Sequence, residues 1–422
     1  MTVWCVVASF GTYACMYGFR KPFTAAAFTD APFEAGMKAW LVTAQVLGYM
    51  LSKFIGIKVI SEIDPRRRGT LLLGLIAFAE LALLLFAIVP PQYAFICLFL
   101  NGLPLGMVFG LVLGFLEGRQ LTEAFVAGLC ASFILADGVV KSVGAWLLES
   151  GVTDQWMPFM AGLIFLVPLI GFVGMLQQIP PPTGKDIEAR STREPMTKAD
   201  RWFWFQRHGL GLSLIVIAYL MVTILRSLRA DFALELWTDL GTTGQPSVFA
   251  LSEMWVALGV ILSSGLVVFI SDNRKALLTS LGIALSGFAL LIGALVAQQQ
   301  GRLTAFPFMV MLGLGLYLPY VVVHTTVFER LIALTRDRGN IGFLMYIADA
   351  FGYLGYVTLM FVSPSFSAET GVLAPFRTIC WSVSLIGILA FAIAAWVFAR
   401  PRASIEASTL EDESPAGTSN PN

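Results

Sequence analysis

Long apolar runs, separated by glycine, proline and charged residues, recur along the whole chain. A helix that crosses a bilayer needs about 20 predominantly apolar residues, and these runs have that length. The predicted spans are 3–28, 35–60, 70–90, 93–117, 122–149, 156–178, 209–238, 247–271, 276–299, 304–328, 339–363 and 374–399. The pattern therefore predicts an all-α integral membrane protein with twelve transmembrane helices.

One long polar stretch interrupts the apolar pattern between the sixth and seventh spans. It runs from Ile179 to Arg207 and begins with consecutive prolines, so we interpret it as a linker. The predicted units are a six-helix bundle at 1–178, a cytoplasmic linker at 179–208, a six-helix bundle at 209–400 and a disordered tail at 401–422. Two such halves are typical of the major-facilitator fold, in which the substrate site lies near the midplane between them.

The composition excludes several classes of function. Hydrophobic residues make up 57% of the 422 residues and charged residues 13%, whereas soluble domains carry about 25% charged residues. Lys plus Arg and Asp plus Glu both number 27, so no net basic charge favours nucleic acid. Hydrolase, metalloprotease and P-loop signatures are absent, and the cysteines lack metal-ligand spacing. We therefore expect no enzyme activity, no cofactor and no metal.

Basic residues are distributed unevenly between the two sides of the predicted bundle. Eighteen Lys and Arg residues fall in loops on the side of the linker, and three fall on the other side: Lys38, Arg302 and Arg377. Because cytoplasmic loops carry the basic excess, we expect both termini in the cytoplasm. The first apolar run has no basic flank before it and no small-residue cleavage site, so we expect a retained helix and not a signal peptide.

The first span contains two adjacent cations, Arg20 and Lys21. Tyr13, Tyr17 and Arg20 follow the spacing of one helical face. A charge at the centre of a membrane helix costs about 2.5–3.5 kcal/mol on insertion scales, so it usually faces a cavity or a partner. We expect Arg20 to bind an anionic substrate, with the lysine and the two tyrosines in the same pocket. The alternative is an arginine that pairs with a carboxylate or extends to the surface.

The seventh span, which begins the second half, has a matching arrangement. Tyr219, Arg226 and Arg229 lie on one predicted helical face. Guanidinium groups that converge from opposite halves would present planar, bidentate donors suited to phosphate or carboxylate. We therefore predict that these three residues contribute to the substrate site. The alternative is a structural ion pair, either Arg229 with Asp231 or Arg226 with Glu253.

Two acidic residues also lie inside predicted spans. Asp137 and Lys141 have i, i+4 spacing in the fifth span and either form a structural pair or face the cavity. Asp349 lies in the eleventh span and is either a proton carrier or the partner of a distant lysine or arginine. The sequence leaves both alternatives open for both sites.

Three further features favour structural interpretations. Lys53 lies near one end of the second span, and we expect its ammonium group to extend to the surface. His324 in the tenth span is expected to be packed and hydrogen-bonded. In the fourth span, a glycine at every fourth position predicts close helix contact. These glycines are Gly102, Gly106, Gly110 and Gly114.

Five patches of sequence, in order along both halves, resemble the organophosphate:phosphate antiporters of the major facilitator superfamily. In the first half these are Tyr17-x-x-Arg20-Lys21-x-Phe23 and Ser52-Lys53-Phe54-Ile55 before Asp64-Pro65-Arg66-Arg67-Arg68. In the second half they are Leu225-Arg226 with Asp231-Phe232, Tyr317-x-Pro319 and Phe351-Gly352-Tyr353-Leu354-Gly355. The chain also looks like a branch of bacterial membrane proteins with a Tyr-x-Phe-Arg-Lys-Pro-Phe start.

The resemblance implies roles for three of these cations. In that family the arginines of the first and seventh helices bind phosphate, which implies the same role for Arg20 and Arg226 and an accessory role for Lys21. Arg229 has no clear counterpart in the family. The sequence departs from the family in the fifth span, where Asp137 follows Ala136 in place of the histidine that the antiporters tend to have.

The residues together predict a secondary transporter of an organic anion, with a phosphorylated metabolite as substrate and alternating access as mechanism. Exchange for inorganic phosphate is implied by the resemblance alone. The alternatives are a proton-coupled symporter, in which Asp137 or Asp349 titrates, and a transporter-like sensor that signals to a partner kinase. We expect a monomer in the cytoplasmic (inner) membrane of a bacterium, with the lipid bilayer and a small anionic substrate as its partners.

Overall fold

A computed structural model gives the conformation of most of the chain. It describes residues 2–28, 36–116, 122–180, 198–242, 245–328, 330–331, 341–362 and 371–399. Most of the predicted linker and the whole predicted tail lie outside the described residues. Within these ranges the chain is helical and contains no β-strand, which confirms the predicted all-α class.

The described helices overlap all twelve predicted spans. The first half contains α1 (Thr2–Tyr17), α2 (Met37–Glu62), α3 (Arg68–Ile88), α4 (Ala94–Leu105), α5 (Val108–Leu116), α6 (Thr122–Glu149) and α7 (Met157–Gln177). The second half contains α8 (Lys198–Asp231), α9 (Ala233–Asp239), α10 (Ser247–Val268), α11 (Asn273–Gln299), α12 (Ala305–Val322), α13 (Ile341–Val362) and α14 (Leu373–Ala399).

The surface of this helical bundle is apolar. Nine helical stretches among the described residues are long and apolar enough to cross a bilayer, and α1 contributes a shorter apolar helix. Large hydrophobic side chains point outward, for example Val167, Leu262 and Leu266, which are more than half exposed. Many exposed large apolar side chains are unfavourable in water but suit the hydrocarbon of a membrane.

The first span is shorter than predicted, and its end places a key cation. Helix α1 ends at Tyr17, and a separate 3-10 turn follows at Pro22–Ala25. Gly18 packs so closely on α7 that a Cβ atom there would overlap an aromatic ring, and Pro22 has no N–H group with which to continue an α-helix. Arg20 therefore lies in the turn beyond α1, and the predicted continuous face with Tyr17 is wrong at this point.

The fourth and tenth spans are also irregular. The fourth divides into α4 and α5, with Pro104 inside α4 and a turn at Gly106. The tenth contains Pro319 and passes from α12 into a π-helical turn at Val323–Val327. Single π-helical turns are often found at functional sites, because they re-aim the side chains that they carry.

The seventh span is longer than predicted on one side and interrupted on the other. Helix α8 begins at Lys198 and contains 34 residues. Its helical conformation is interrupted at Phe232, and α9 follows directly. The prediction of one helix over 209–238 therefore located the span correctly and its limits poorly.

In the described part of the chain, two helix pairs make the most extensive contacts between the halves. Helix α2 packs on α13, and α6 packs on α10. Within the first half, α2 also packs closely on α4, because Gly102 and Gly106 bring the backbones together. The predicted glycine contact is confirmed at these two positions. Because α8 begins within the predicted linker, we call its Lys198 end the linker side of the bundle and its Asp231 end the opposite side.

We expect Gly102→Ala to destabilise the protein. A Cβ atom at Gly102 would overlap the carbonyl oxygen of Gln45 on α2, and overpacking of this kind costs about 1–3 kcal/mol. Gly74→Ala is the matched control, because nothing lies within 4 Å of a Cβ atom there. Thermal unfolding of both variants in detergent measures the difference. Equal melting temperatures for the two variants would contradict the close α2–α4 contact.

Candidate functional site

Two arginines from opposite halves of the chain line one internal cavity. Arg20 and Arg226 are both buried, with exposed fractions of 3% and 6%. We call this space the arginine cavity; its lining residues are Tyr17, Arg20, Lys21, Asp137, Arg226, Ser227, Ala230, Tyr317 and Tyr353. The structure thus brings together the two guanidinium groups that the sequence singled out.

Two amide side chains hold Arg20 in place from its backbone. Because α1 has ended, the carbonyl groups of Phe19 and Arg20 have no helical partner. Asn101 Nδ2 donates to the first carbonyl at 3.0 Å, and Gln45 Nε2 donates to the second at 2.8 Å. Gln45 Nε2 also donates to Asn101 Oδ1 at 2.8 Å. The turn that carries Arg20 is therefore fixed by α2 and α4.

Aromatic rings surround both guanidinium groups. The Cζ atom of Arg20 lies 3.7 Å from the ring centre of Tyr49. The Cζ atom of Arg226 lies 4.5 Å from the ring centre of Tyr320 and 5.7 Å from that of Phe133. Such cation–π contacts stabilise a cation without neutralising it. They keep both side chains extended toward the cavity.

Neither arginine has a carboxylate partner among the described residues. Arg226 donates one hydrogen bond, from Nη2 to the Tyr353 hydroxyl at 3.3 Å. The Nε groups of Arg20 and Arg226 are buried without a hydrogen-bond partner. Since each guanidinium has five N–H groups, most of this donor capacity is unused. The unused N–H groups have the chemistry to donate to an anion with several oxygen atoms.

The other buried cations of the site are all paired. The described ion pairs are Lys21 with Asp231, Lys38 with Glu235, Lys53 with Asp349, Lys141 with Asp137 and Arg229 with Glu253. Seven buried cations therefore face five carboxylates, which leaves an excess of two positive charges on Arg20 and Arg226. An uncompensated buried charge is unfavourable, so this excess indicates a place for an anion.

One cross-half ion pair lies on the linker side of the two arginines. Lys53 of α2 pairs with Asp349 of α13, and the Tyr219 hydroxyl donates to the same carboxylate. The Tyr219 hydroxyl is also hydrogen-bonded to Nδ1 of His324 at 3.0 Å. Along α8, Tyr219 precedes Arg226 by seven residues, or about 10 Å of helix. This cluster therefore lies on the linker side of the arginine cavity without lining it.

A second set of cross-half contacts lies on the opposite side. Lys21 pairs with Asp231 at the end of α8, and the Tyr356 hydroxyl donates to Asp231 at 3.0 Å. Lys38 pairs with Glu235 at 2.6 Å, again between the two halves. The arginine cavity therefore lies between two layers of ion pairs that join the halves.

A second cavity adjoins the first through shared lining residues. We call it the tyrosine cavity; it is lined by Tyr13, Tyr17, Tyr49, Lys53, Phe109, Phe133, Arg226, Tyr320, His324, Asp349 and Tyr353. Tyr17, Arg226 and Tyr353 line both spaces. Rings and hydroxyl groups of this kind can pack on carbon atoms and hydrogen-bond to polar groups of one ligand.

The remaining predicted site residues occupy different positions. Tyr13 lines the tyrosine cavity, whereas Tyr219 lies behind it, stacked on Tyr320. Arg229 is not among the lining residues of either cavity. It pairs with Glu253 at 2.7 Å and donates to the Met309 carbonyl at 3.0 Å. The sequence suggested an ion pair of Arg229 with Asp231 or of Arg226 with Glu253. The structure contains neither pair.

Sequence reasoning misplaced one lysine and missed much of the aromatic lining. The sequence predicts Lys53 at the surface, but it is 4% exposed because α2 packs on α13 and Lys53 pairs with Asp349 there. Asp349 is therefore the partner of a distant lysine, which is one of the two alternatives that the sequence left open. Tyr49 lies one helical turn before Lys53 and Tyr320 directly follows Pro319, so their positions gave a weak signal. His324 is packed and hydrogen-bonded, as predicted.

Comparison with known proteins gives a family and a fold. A family description, "Family of unknown function (DUF5690)", matches residues 22–401. No curated protein matches the sequence. Among solved structures, a D-xylose-proton symporter is similar with a TM-score of 0.62 and 15% identity over 94% of this chain and 97% of that chain. The nucleoside transporter NupG gives 0.59 and 12% over 94% and 99%.

A third similar structure is the peptide transporter POT, with a TM-score of 0.64 and 13% identity over 94% of both chains. These similarities confirm the predicted major-facilitator fold with twelve transmembrane helices. At such low identity they show the fold alone. The resemblance to organophosphate:phosphate antiporters stays a prediction.

Asp349→Asn is expected to destabilise the protein by about 3–5 kcal/mol, because it leaves the buried ammonium group of Lys53 without a charged partner. The double variant Lys53→Met with Asp349→Asn removes both charges and should recover part of that loss. Thermal unfolding of the two single variants and the double variant measures the coupling. Losses that simply add would contradict the cross-half pair.

Proposed function

The chain belongs to the family of unknown function DUF5690, and we propose that it is a secondary transporter of an organic anion, with a phosphorylated metabolite as its substrate. The fold is shared with a D-xylose-proton symporter, a nucleoside transporter and a peptide transporter. Transport proteins of this fold bind substrate between their halves. No cofactor enters the proposal.

The excess of two positive charges in the arginine cavity is the observation that carries this proposal. A phosphate monoester has about −1.5 to −2 charges near neutral pH, so it would neutralise Arg20 and Arg226 together. Guanidinium groups donate paired, parallel hydrogen bonds to phosphate oxygens. The organic part of the substrate would extend into the adjoining tyrosine cavity, where hydroxyl groups and aromatic faces are available.

The two layers of ion pairs suggest how the cavity would open. Access from one side requires that one layer separates while the other stays closed, which is alternating access. Lys53 and Asp349 join the halves on the linker side, whereas Lys21 and Asp231 join them on the opposite side. An anion between Arg20 and Arg226 would remove their mutual repulsion and favour the enclosed state. Substrate binding would thereby lower the barrier between the two open states.

The proposed setting follows the charge distribution of the sequence. We place the protein in the cytoplasmic membrane of a bacterium as a multi-pass monomer, with both termini and the linker in the cytoplasm. Exchange for inorganic phosphate is the coupling that the antiporter resemblance favours. In that case the same two arginines would bind substrate and phosphate in turn.

Proton-coupled symport is a second candidate, and a specific observation favours it. Asp349 accepts hydrogen bonds from Lys53 and Tyr219, and Tyr219 is bonded to His324. This chain of exchangeable groups borders the substrate cavity and joins the two halves. A proton delivered to Asp349 would weaken the ion pair with Lys53 and release the linker-side layer.

Arg20→Lys and Arg226→Lys should each weaken phosphate binding at least tenfold, because lysine lacks the bidentate fork. Arg229→Lys is the matched control, since Arg229 is equally buried but is paired with Glu253 outside the cavity lining. Calorimetric titration of the purified protein with inorganic phosphate measures the affinity, and thermal unfolding checks the fold. Wild-type affinity in both cavity variants would overturn the proposed site.

Transport in proteoliposomes separates the two coupling modes. Obligatory exchange predicts uptake of labelled phosphate only into vesicles that contain phosphate or a phosphate ester. Proton symport predicts uptake into empty vesicles when a pH gradient is imposed, and loss of that uptake in Asp349→Asn. Binding without uptake under either condition would contradict transport and favour a sensor.

A further inference from the structure

Asp137 is the acidic member of an otherwise cationic cavity. Among the described residues it is the one carboxylate that lines the arginine cavity, and it is 3% exposed. Its Oδ2 atom accepts a hydrogen bond from Lys141. Its Oδ1 atom is buried and has no hydrogen-bond partner. One carboxylate oxygen beside the two arginines is therefore unsatisfied.

The neighbouring donors are committed elsewhere. The Lys141 ammonium bonds to Asp137 Oδ2 and to the carbonyl group of Ala230. The Lys21 ammonium is paired with Asp231. Neither Arg20 nor Arg226 forms an ion pair with Asp137, although all three line the same cavity. The described protein groups thus leave Oδ1 to another donor.

The backbone around Asp137 is fixed by contacts with α10, and the ion pair with Lys141 holds its side chain. A Cβ atom at the next residue, Gly138, would overlap the carbonyl group of Phe249 on α10. One turn further along α6, Ser142 bonds to the Pro246 carbonyl and accepts from the Ala250 N–H at 3.1 Å. Helix α6 is therefore held against α10 at the residue after Asp137 and again one turn further on. The unsatisfied oxygen is a preorganised acceptor.

An acceptor oxygen in an anion site is unfavourable unless a donor comes with the anion. A buried acceptor without a partner loses its hydrogen bonds to water and gains none from the protein. A carboxylate also repels a dianion at close range. Both costs disappear if the ligand has an N–H or O–H group near its phosphate. The two arginines then bind the negative group while Asp137 Oδ1 accepts from the donor.

We propose that Asp137 selects substrates in which an ammonium or hydroxyl group lies next to the anionic group. This inference rests on the proposed function, because the anion itself must bind to Arg20 and Arg226. It adds a requirement that the arginines alone do not impose. The shared chemistry is a hydrogen-bond donor one or two carbon atoms from a phosphate.

Three small probes of matched size test the requirement. Aminoethyl phosphate has an ammonium group, hydroxyethyl phosphate has a hydroxyl group, and ethyl phosphate has neither. We expect at least one of the two donor-bearing probes to bind the wild-type protein about ten- to a hundredfold more tightly than ethyl phosphate, because a site built around a hydrogen bond rejects an analogue that lacks it. The tighter of the two identifies the donor. Calorimetric titration in detergent gives the affinities.

The Asp137→Asn variant tests which residue is responsible. Lysine only donates hydrogen bonds, so the asparagine must turn its oxygen toward Lys141 and present its NH₂ group to the cavity. The acceptor facing the ligand then becomes a donor, and the preference for donor-bearing probes should disappear. Glu253→Gln is the matched control. Glu253 also has one paired and one unsatisfied buried oxygen, but it does not line the arginine cavity.

The outcomes separate this inference from the proposed function. If neither inorganic phosphate nor any of the three probes binds, the proposed function fails. If phosphate and all three probes bind with equal affinity to the wild-type protein, the anion site stands and the role of Asp137 is overturned. A preference that persists in Asp137→Asn, or that is lost equally in Glu253→Gln, also overturns it. The wild-type comparison remains decisive even if Asp137→Asn does not fold.

Discussion

The cost of leaving a charge uncompensated inside a membrane protein governs this structure. Five buried cations meet that constraint with a carboxylate, and several of these pairs connect one half of the molecule to the other. Arg20 and Arg226 instead rest on aromatic faces, which stabilise a cation but supply no negative charge. The site therefore has two positive charges that no carboxylate among the described residues neutralises, and this excess favours an anionic ligand.

The number and location of the membrane spans could be predicted because the bilayer imposes a length and an apolar composition on each span. Both properties can be read from a local stretch of sequence. The ends of helices depend on contacts that such a stretch does not contain. Apolar residues continue beyond Tyr17, yet α1 stops there because Gly18 meets a ring of α7 and Pro22 follows. Helix α8 likewise begins inside a stretch that is polar enough to resemble a linker.

The candidate site could likewise be predicted only in part. Arg20 and Arg226 stand out in the sequence because they are cations within apolar runs, and the structure brings both to one cavity. Their freedom from carboxylates could not be predicted, since it depends on which acid each neighbouring cation takes. Arg229 offers the example: sequence spacing suggested Asp231 as its partner, but helix packing gives it Glu253. Pairing across helices is a property of the assembled bundle.

The length of α8 has a mechanical consequence. Its 34 residues extend about 51 Å, whereas the hydrocarbon core of a bilayer is about 30 Å thick. The same helix carries Arg226 within the membrane and begins at Lys198, inside the polar stretch between the halves. Tilting of its outer end in the water phase would be transmitted as displacement of the guanidinium group. A force on the membrane-surface end of α8 would therefore move Arg226 in the middle of the molecule.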